Sequence, residues 1–200
     1  MSTTLVEVPV QPSAITPPRK KWTRAECSVL DESEILVGQR LELIDGELLN
    51  KMGKNRPHVI CTMYLTGLLI QIFGVRFIQL ESPIDIAPED NPTSEPEPDI
   101  VVLKRELSEF CKSNPQPDDI HLLVEVSDST LYFDLTTKAS LYAQAGIADF
   151  WILDITGRRM IVHREPQNGK YASVMAYSEQ ESVTPLGATA SIQVSDAFPA

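Results

Sequence analysis

Three ionisable side chains in this 200-residue chain stand where a protein interior ordinarily accepts none. Asp99 ends the run Glu95-Pro96-Glu97-Pro98-Asp99 and leads straight into Ile100-Val101-Val102-Leu103. Glu125 interrupts a second apolar run, Leu122-Leu123-Val124-Glu125-Val126-Ser127. Lys138 follows on a segment with helical spacing. A carboxylate on a buried strand is costly unless it meets a partner, a proton or a metal. If the two strands are neighbours, Asp99 and Glu125 face each other near the rim of a sheet. Two close carboxylates repel, and a hard divalent cation with oxygen ligands relieves that repulsion. An ammonium beside them could orient or deprotonate water, or stabilise charge developing on a phosphoryl oxygen.

The remaining polar residues carry weaker signals. Asp134, Lys138 and Tyr142 are spaced by four and stack on one helix face. That leaves two readings of Lys138: a surface ion pair with Asp134, or an ammonium aimed at the acid pair. His58 falls in the first turn of a helix, where a structural or solvated role competes with a catalytic or phosphate-contacting one. Glu47 directly follows an Asp45-Gly46 turn and by itself reads as a solvated hairpin residue. His121 and His163 have no ligand spacing with His58, which argues against a histidine-based zinc site. Ser127-Asp128-Ser129-Thr130 lacks the glycines of a phosphate-binding loop, so turn and N-cap duty is its reading. There is no Gly-x-Ser-x-Gly elbow, and Cys61 lies on an apolar helix, so a covalent nucleophile is unsupported.

The elements that must position these groups can be read from periodicity and punctuation. A leader over 1–21, with Pro9, Pro12, Pro17 and Pro18, is expected to be flexible, with Arg19-Lys20-Lys21 as its basic end. One domain is expected over 22–200. Thr23-Arg24-Ala25-Glu26 has the spacing of a capping box and predicts a helix to about Leu30. Leu41 to Asn50 predicts a hairpin around Asp45-Gly46, and Pro57 opens a helix that Gly74 stops. Arg76–Leu80 and Pro83–Ile86 read as short strands, followed by an acidic loop over 87–98. The apolar runs 99–103 and 121–126 predict central strands covered on both faces. A helix over 133–145, a buried strand over 149–155 and a hairpin around Asn168-Gly169 follow, then weak peripheral strands over 183–195. The simplest packing is a mixed sheet with helices on its faces, an α/β (α+β) arrangement.

Composition narrows the function classes. Seventeen basic residues against 28 acidic ones give a net charge of −11, unlike a protein that binds nucleic acid by bulk charge. A local acidic site that takes phosphate through a divalent cation stays open. Three scattered cysteines fit a reducing compartment. With no signal-peptide pattern and no long apolar run, a cytoplasmic, soluble protein is expected.

In order along the chain, several motifs resemble the Uma-type restriction endonuclease family, within the PD-(D/E)xK nuclease superfamily. They are Leu43-Ile44-Asp45-Gly46-Glu47-Leu48, His58 opening its helix, Pro98-Asp99-Ile100-Val101-Val102 and Val124-Glu125-Val126-Ser127. Asp134, Lys138 and Tyr142 follow, then Gly146-Ile147-Ala148-Asp149-Phe150-Trp151-Ile152-Leu153-Asp154. The resemblance spans roughly 22–195. It implies a restriction-endonuclease-like core, a central mixed β-sheet flanked by helices, that binds Mg²⁺ (or Mn²⁺) at its rim. Asp99 and Glu125 would be metal ligands, with the Val126 carbonyl a third. Glu47 would be the additional acid of the metal site, and Lys138 the catalytic lysine. The superfamily's usual lysine position, two after Glu125, holds Ser127 here; Lys138 on the following helix is its substitute.

The expectation is therefore a metal-dependent endonuclease that hydrolyses DNA phosphodiester bonds with metal-activated water, its catalytic set being Glu47, Asp99, Glu125 and Lys138. His58 and Asp134 are supporting candidates. A homodimer would give one site per DNA strand. The competing expectation is the same fold kept as a catalytically inactive DNA- or protein-binding module, which the acidic balance favours. A hydrolase acting on a substrate other than nucleic acid is a third.

Overall fold

The computed structural model describes residues 18–33, 38–51, 54–86 and 92–199. The expected leader falls outside them as far as residue 17, and so does the 87–91 part of the acidic loop. The described end of the leader is tied down: Lys20 pairs with Glu26 at 2.7 Å and Lys21 with Asp45 at 2.5 Å.

Helix α1 (Arg24–Glu32) starts on the expected capping box. The Thr23 amide donates to the Glu26 carboxylate at 3.0 Å, and the Glu26 amide donates back to the Thr23 hydroxyl at 3.3 Å. Strands β1 (Leu41–Ile44) and β2 (Glu47–Asn50) form a hairpin whose turn residues both take positive φ, +47° at Asp45 and +75° at Gly46. That combination is the two-residue turn that Asp-Gly favours. A Cβ at Gly46 would also lie only 2.6 Å from the Lys21 Cβ, so the turn requires glycine twice over.

Helix α2 (Arg56–Phe73) is capped by the Asn55 side chain, which accepts the His58 amide at 3.0 Å. Gly74 ends it at φ +91°, ψ 146°, a glycine conformation outside the left-handed helical well expected for it. Strand β3 covers only Ile78–Leu80, because Val75–Phe77 forms a 3₁₀ turn first. The segment 83–86, expected as a strand, is irregular. Pro83 has no ladder donor, and the amides of Ile84 and Asp85 go to the carbonyls of Pro96 and Pro115 instead.

The two central strands are β4 (Ile100–Leu103) and β5 (Ile120–Ser127), followed by β6 (Asp149–Asp154), β7 (Arg159–Gln167) and β8 (Lys170–Ser178). They form a six-stranded sheet in the order β3-β4-β5-β6-β7-β8. Every pair is antiparallel except β5–β6, which is parallel. A parallel pair needs a crossover, and the helical segment 131–144, α3, supplies it. The β7–β8 hairpin turns at Asn168-Gly169, again with positive φ at both residues. In the expected 183–195 region only β9 (Ser182–Val183) and β10 (Ile192–Gln193) pair.

Alternation along the central strands sorts their side chains onto two faces. Ile100, Val102, Leu122, Val124, Trp151 and Leu153 pack with Cys61, Leu65 and Leu69 of α2 and with Val194, Ala197 and Phe198. Val101, Leu103, Leu123, Phe150 and Ile152 pack with Leu141 and Tyr142 of α3, with Ala145 just after it and with Ile44 of β1. The result is a central mixed sheet with helices on both faces, the restriction-endonuclease-like arrangement. Among the described residues no helix is long and apolar enough to cross a membrane.

Candidate active site

The register of the central ladder brings the two strand acids together. Ile100 pairs with Val124 in the antiparallel β4–β5 ladder, and Asp99 and Glu125 are the next residues of the two chains beyond that pair. By alternation Asp99 shares a face with Val101 and Glu125 with Leu123, the α3 face. The Asp99 carboxylate caps this end of the ladder by accepting the Val126 amide at 2.8 Å. Both acids are buried and line a cleft of about 280 Å³. Opposite them the wall comes from β1, from the approach to α2, and from the 128–130 turn with the start of α3.

Helix α3 delivers Lys138 through an irregular turn. Its first turn is Leu131–Phe133, its middle, Asp134–Lys138, is π-helical, and Ala139–Gln144 is α-helical. The Ala139 amide reaches back five residues to the Asp134 carbonyl. Asp134 and Lys138 flank that widened turn, and both are buried. The Lys138 ammonium lies 3.0 Å from Glu125 Oε1 and 3.2 Å from Glu42 Oε2. Tyr142, one turn on, donates its hydroxyl to Glu125 Oε1 at 2.7 Å. The surface Asp134–Lys138 pair is therefore not formed. Asp134 instead accepts the hydroxyls of Ser127 at 2.5 Å and Thr130 at 2.7 Å, which fixes the turn between β5 and α3.

Asp99 has its own cation. Lys54 stands 2.8 Å from its Oδ1 and, at the same distance, from Glu81 Oε1. His58, on the first turn of α2, places Nε2 at 3.4 Å from Asp99 Oδ2. Across the cleft mouth, Asn55 donates to Asp128.

Glu47 does not join this group. It lies exposed on β2, with Arg19 at 3.7 Å as its ion partner, and does not line the cleft. The acid that does is Glu42, directly opposite Leu49 on the hairpin, buried, and accepting the Glu97 amide at 3.4 Å. Parity puts Glu42, Ile44, Glu47 and Leu49 on one face of the hairpin; the difference is position, since Glu42 stands at the far end of β1 from the turn, against the cleft, and Glu47 stands exposed next to the turn. Glu95 and Glu97 are half-buried in ion pairs with Arg24 and Lys51.

The electrostatics follow from burial and these partners. Burial disfavours the Asp99 carboxylate, but the His58 hydrogen bond and the Lys54 charge outweigh it and hold Asp99 well below the usual carboxylate range. Glu125 goes the other way. Burial, with Asp99, Asp134 and Glu42 adding to it, pushes it up to about 8 despite Lys138. Burial also opposes the Lys138 charge, yet Glu125, Glu42 and Asp134 keep that ammonium firmly protonated. Two neighbouring acids driven in opposite directions are a frequent mark of a reactive site.

Among the described residues no three His, Cys, Asp or Glu side chains form a group that could hold a metal ion. Ammonium groups bond to Asp99 and Glu125 instead. The donor chemistry nevertheless suits one type of ion. Glu42, Asp99 and Glu125 offer carboxylate oxygens, the donors hard divalent cations take, and two ammonium groups already act there as stand-in cations.

Comparison with known proteins agrees with this architecture. No curated protein matches the chain. A solved structure, of "a putative nuclease belonging to DUF820" from Anabaena variabilis, superposes with a TM-score of 0.62 at 18% sequence identity. The match covers 84% of this chain and 96% of that one, and it establishes a shared fold. Residues 30–196 match the Uma2 family, described as "Putative restriction endonuclease", and the chain belongs to that family.

Proposed function

We propose that the cleft is the active site of a metal-dependent DNA endonuclease of the PD-(D/E)xK type, with Mg²⁺ or Mn²⁺ as its cofactor. The observation that carries this reading is the meeting of Asp99 and Glu125 in one cleft, just beyond the Ile100–Val124 pair, with the Lys138 ammonium bonded to Glu125. Asp99, Glu125 and Glu42, with the Val126 carbonyl, would hold the ion; Glu42 replaces Glu47 in that role. When bound, a divalent cation supplies charge for the developing phosphoryl oxyanion and acidifies the attacking water.

The chain's own groups do the rest. Lys138 carries a fixed positive charge into the cleft and is held by two acids, so it is placed to orient water or to stabilise phosphoryl charge. Tyr142 fixes the Glu125 carboxyl that Lys138 bonds. His58 and the Val126 amide orient Asp99. Asp134 braces the Ser127 and Thr130 hydroxyls at the wall of the cleft.

The test is a nicking assay on supercoiled and oligonucleotide DNA with Mg²⁺ and with Mn²⁺. Cleavage by the wild type, lost in Asp99→Ala and in Glu125→Ala while both variants stay folded, supports the reading. An inactive binding module is favoured by one specific observation: the acids are already satisfied by Lys54 and Lys138. DNA binding without turnover under every metal condition would establish that alternative.

A further inference from the structure

Lys54 pairs with Asp99, and Lys138 pairs with Glu42 and Glu125; the two lysines are held differently. Lys138 is buried on α3 between Glu42 and Glu125, with 6% of its side chain exposed. Lys54 comes from the irregular approach to α2, and 15% of its side chain is exposed at the cleft wall. Its ammonium divides itself between Asp99 Oδ1 and Glu81 Oε1, at 2.8 Å each. Glu81 follows the edge strand β3, is more than a third exposed, and pairs with Arg40 at 3.0 Å as well. Lys54 thus has one partner inside the cleft and one at its rim.

A cation that takes Asp99 as a ligand must compete with this ammonium. Electrostatics makes the competition unequal, because a divalent ion brings twice the charge and accepts several oxygens at once. Once displaced, Lys54 is a long side chain at the cleft wall, in reach of whatever anion enters. Lys51, the nearby lysine, is already committed to the Glu97 carboxylate and carbonyl, at 3.0 and 2.9 Å. Lys138 is bonded to Glu42 and Glu125. Lys54 is the lysine that bonds Asp99 itself, and it alone of the three shares that bond with an acid at the rim.

We propose that Lys54 is an exchangeable counter-ion, which neutralises Asp99 until a divalent cation takes its place and then transfers to a phosphate of the bound DNA. This rests on reading the cleft as a metal-dependent phosphodiester site. It adds that one residue opposes metal binding and favours substrate binding. A purely structural lysine would do neither.

The experiment uses the full chain and the variants Lys54→Met, Lys54→Gln and Lys54→Arg, with thermal melts to confirm folding. Mn²⁺ is titrated calorimetrically without DNA. Binding of a fluorescein-labelled duplex is then measured in Ca²⁺, at several salt concentrations. Lys54→Met and Lys54→Gln should bind Mn²⁺ about tenfold more tightly, since a competing positive charge has gone. The same variants should bind the duplex more weakly, with the salt dependence reduced by about one phosphate contact. Lys54→Arg should stay near the wild type in both. Unchanged or weaker Mn²⁺ affinity in the two neutral variants overturns the exchange, and so does unchanged duplex affinity. A wild type that takes up no Mn²⁺ overturns instead the metal-dependent reading beneath it.

Discussion

Asp99 and Glu125 stand one residue beyond the Ile100–Val124 pair, and the Asp99 carboxylate accepts the amide of Val126, the residue after Glu125. One acid is therefore bonded to the backbone of the strand that carries the other. This fixes their relative position through the β4–β5 ladder itself, independently of any loop. Lys54 and His58 reach the pair from the approach to α2, and Lys138 and Tyr142 reach it from α3. The two helical layers thus meet at this end of the sheet.

The exchange of Glu47 for Glu42 yields a direct comparison. Glu42→Gln should weaken Mn²⁺ binding by roughly 10- to 100-fold, the range typical when a metal site loses a supporting group. Glu47→Gln should leave it unchanged, because Glu47 is exposed and lies outside the cleft. Parallel titrations of the two variants decide between the assignments.

Lys138 bears on stability as well as on chemistry. Lys138→Met leaves Glu42 and Glu125 buried without their shared cation. Breaking a buried ion pair from one side typically costs about 3–5 kcal/mol. Urea denaturation should show a loss of that order. A variant as stable as the wild type would mean that the pair contributes little to the fold.

How much of this was legible in the chain depended on where the signal lay. Asp-Gly and Asn-Gly turns, the Thr23–Glu26 box and the continuous apolar runs each encode local structure, and each formed as read. Glu42 carried the same signal as Glu125, an acid inside an apolar run (Leu41-Glu42-Leu43-Ile44), but the neighbouring Asp-Gly-Glu motif drew attention to Glu47. Lys54 left no local trace, since a lysine before a helix is unremarkable until Asp99 folds against it. The π-helical turn was hidden too, because spacing by four looks the same whether a turn is regular or widened. Pro83–Ile86 read as a strand on its apolar residues, yet the amides of Ile84 and Asp85 go to carbonyls in distant loops.

Away from the site, His163 predicts an acid-sensitive term in stability. Its ring is buried against Phe150 and Tyr171, with centroids 5.1 and 5.4 Å away. Burial lowers it from an ordinary 6.5 to about 4. The unfolded chain therefore takes up this proton first as pH falls. The contribution is complete above pH 6.5 and is lost progressively down to about pH 4, amounting to about 3 kcal/mol. His163→Phe should flatten the fall in melting temperature across that window. A parallel decline in wild type and variant would assign the acid sensitivity elsewhere.

The most direct measurement is calorimetric titration of Mn²⁺ into the wild type and into Asp99→Asn. The account predicts saturable uptake by the wild type and its loss in a variant that melts normally. Absence of uptake by the wild type, or equal uptake by both, would contradict the claim that this acid pair holds a divalent cation.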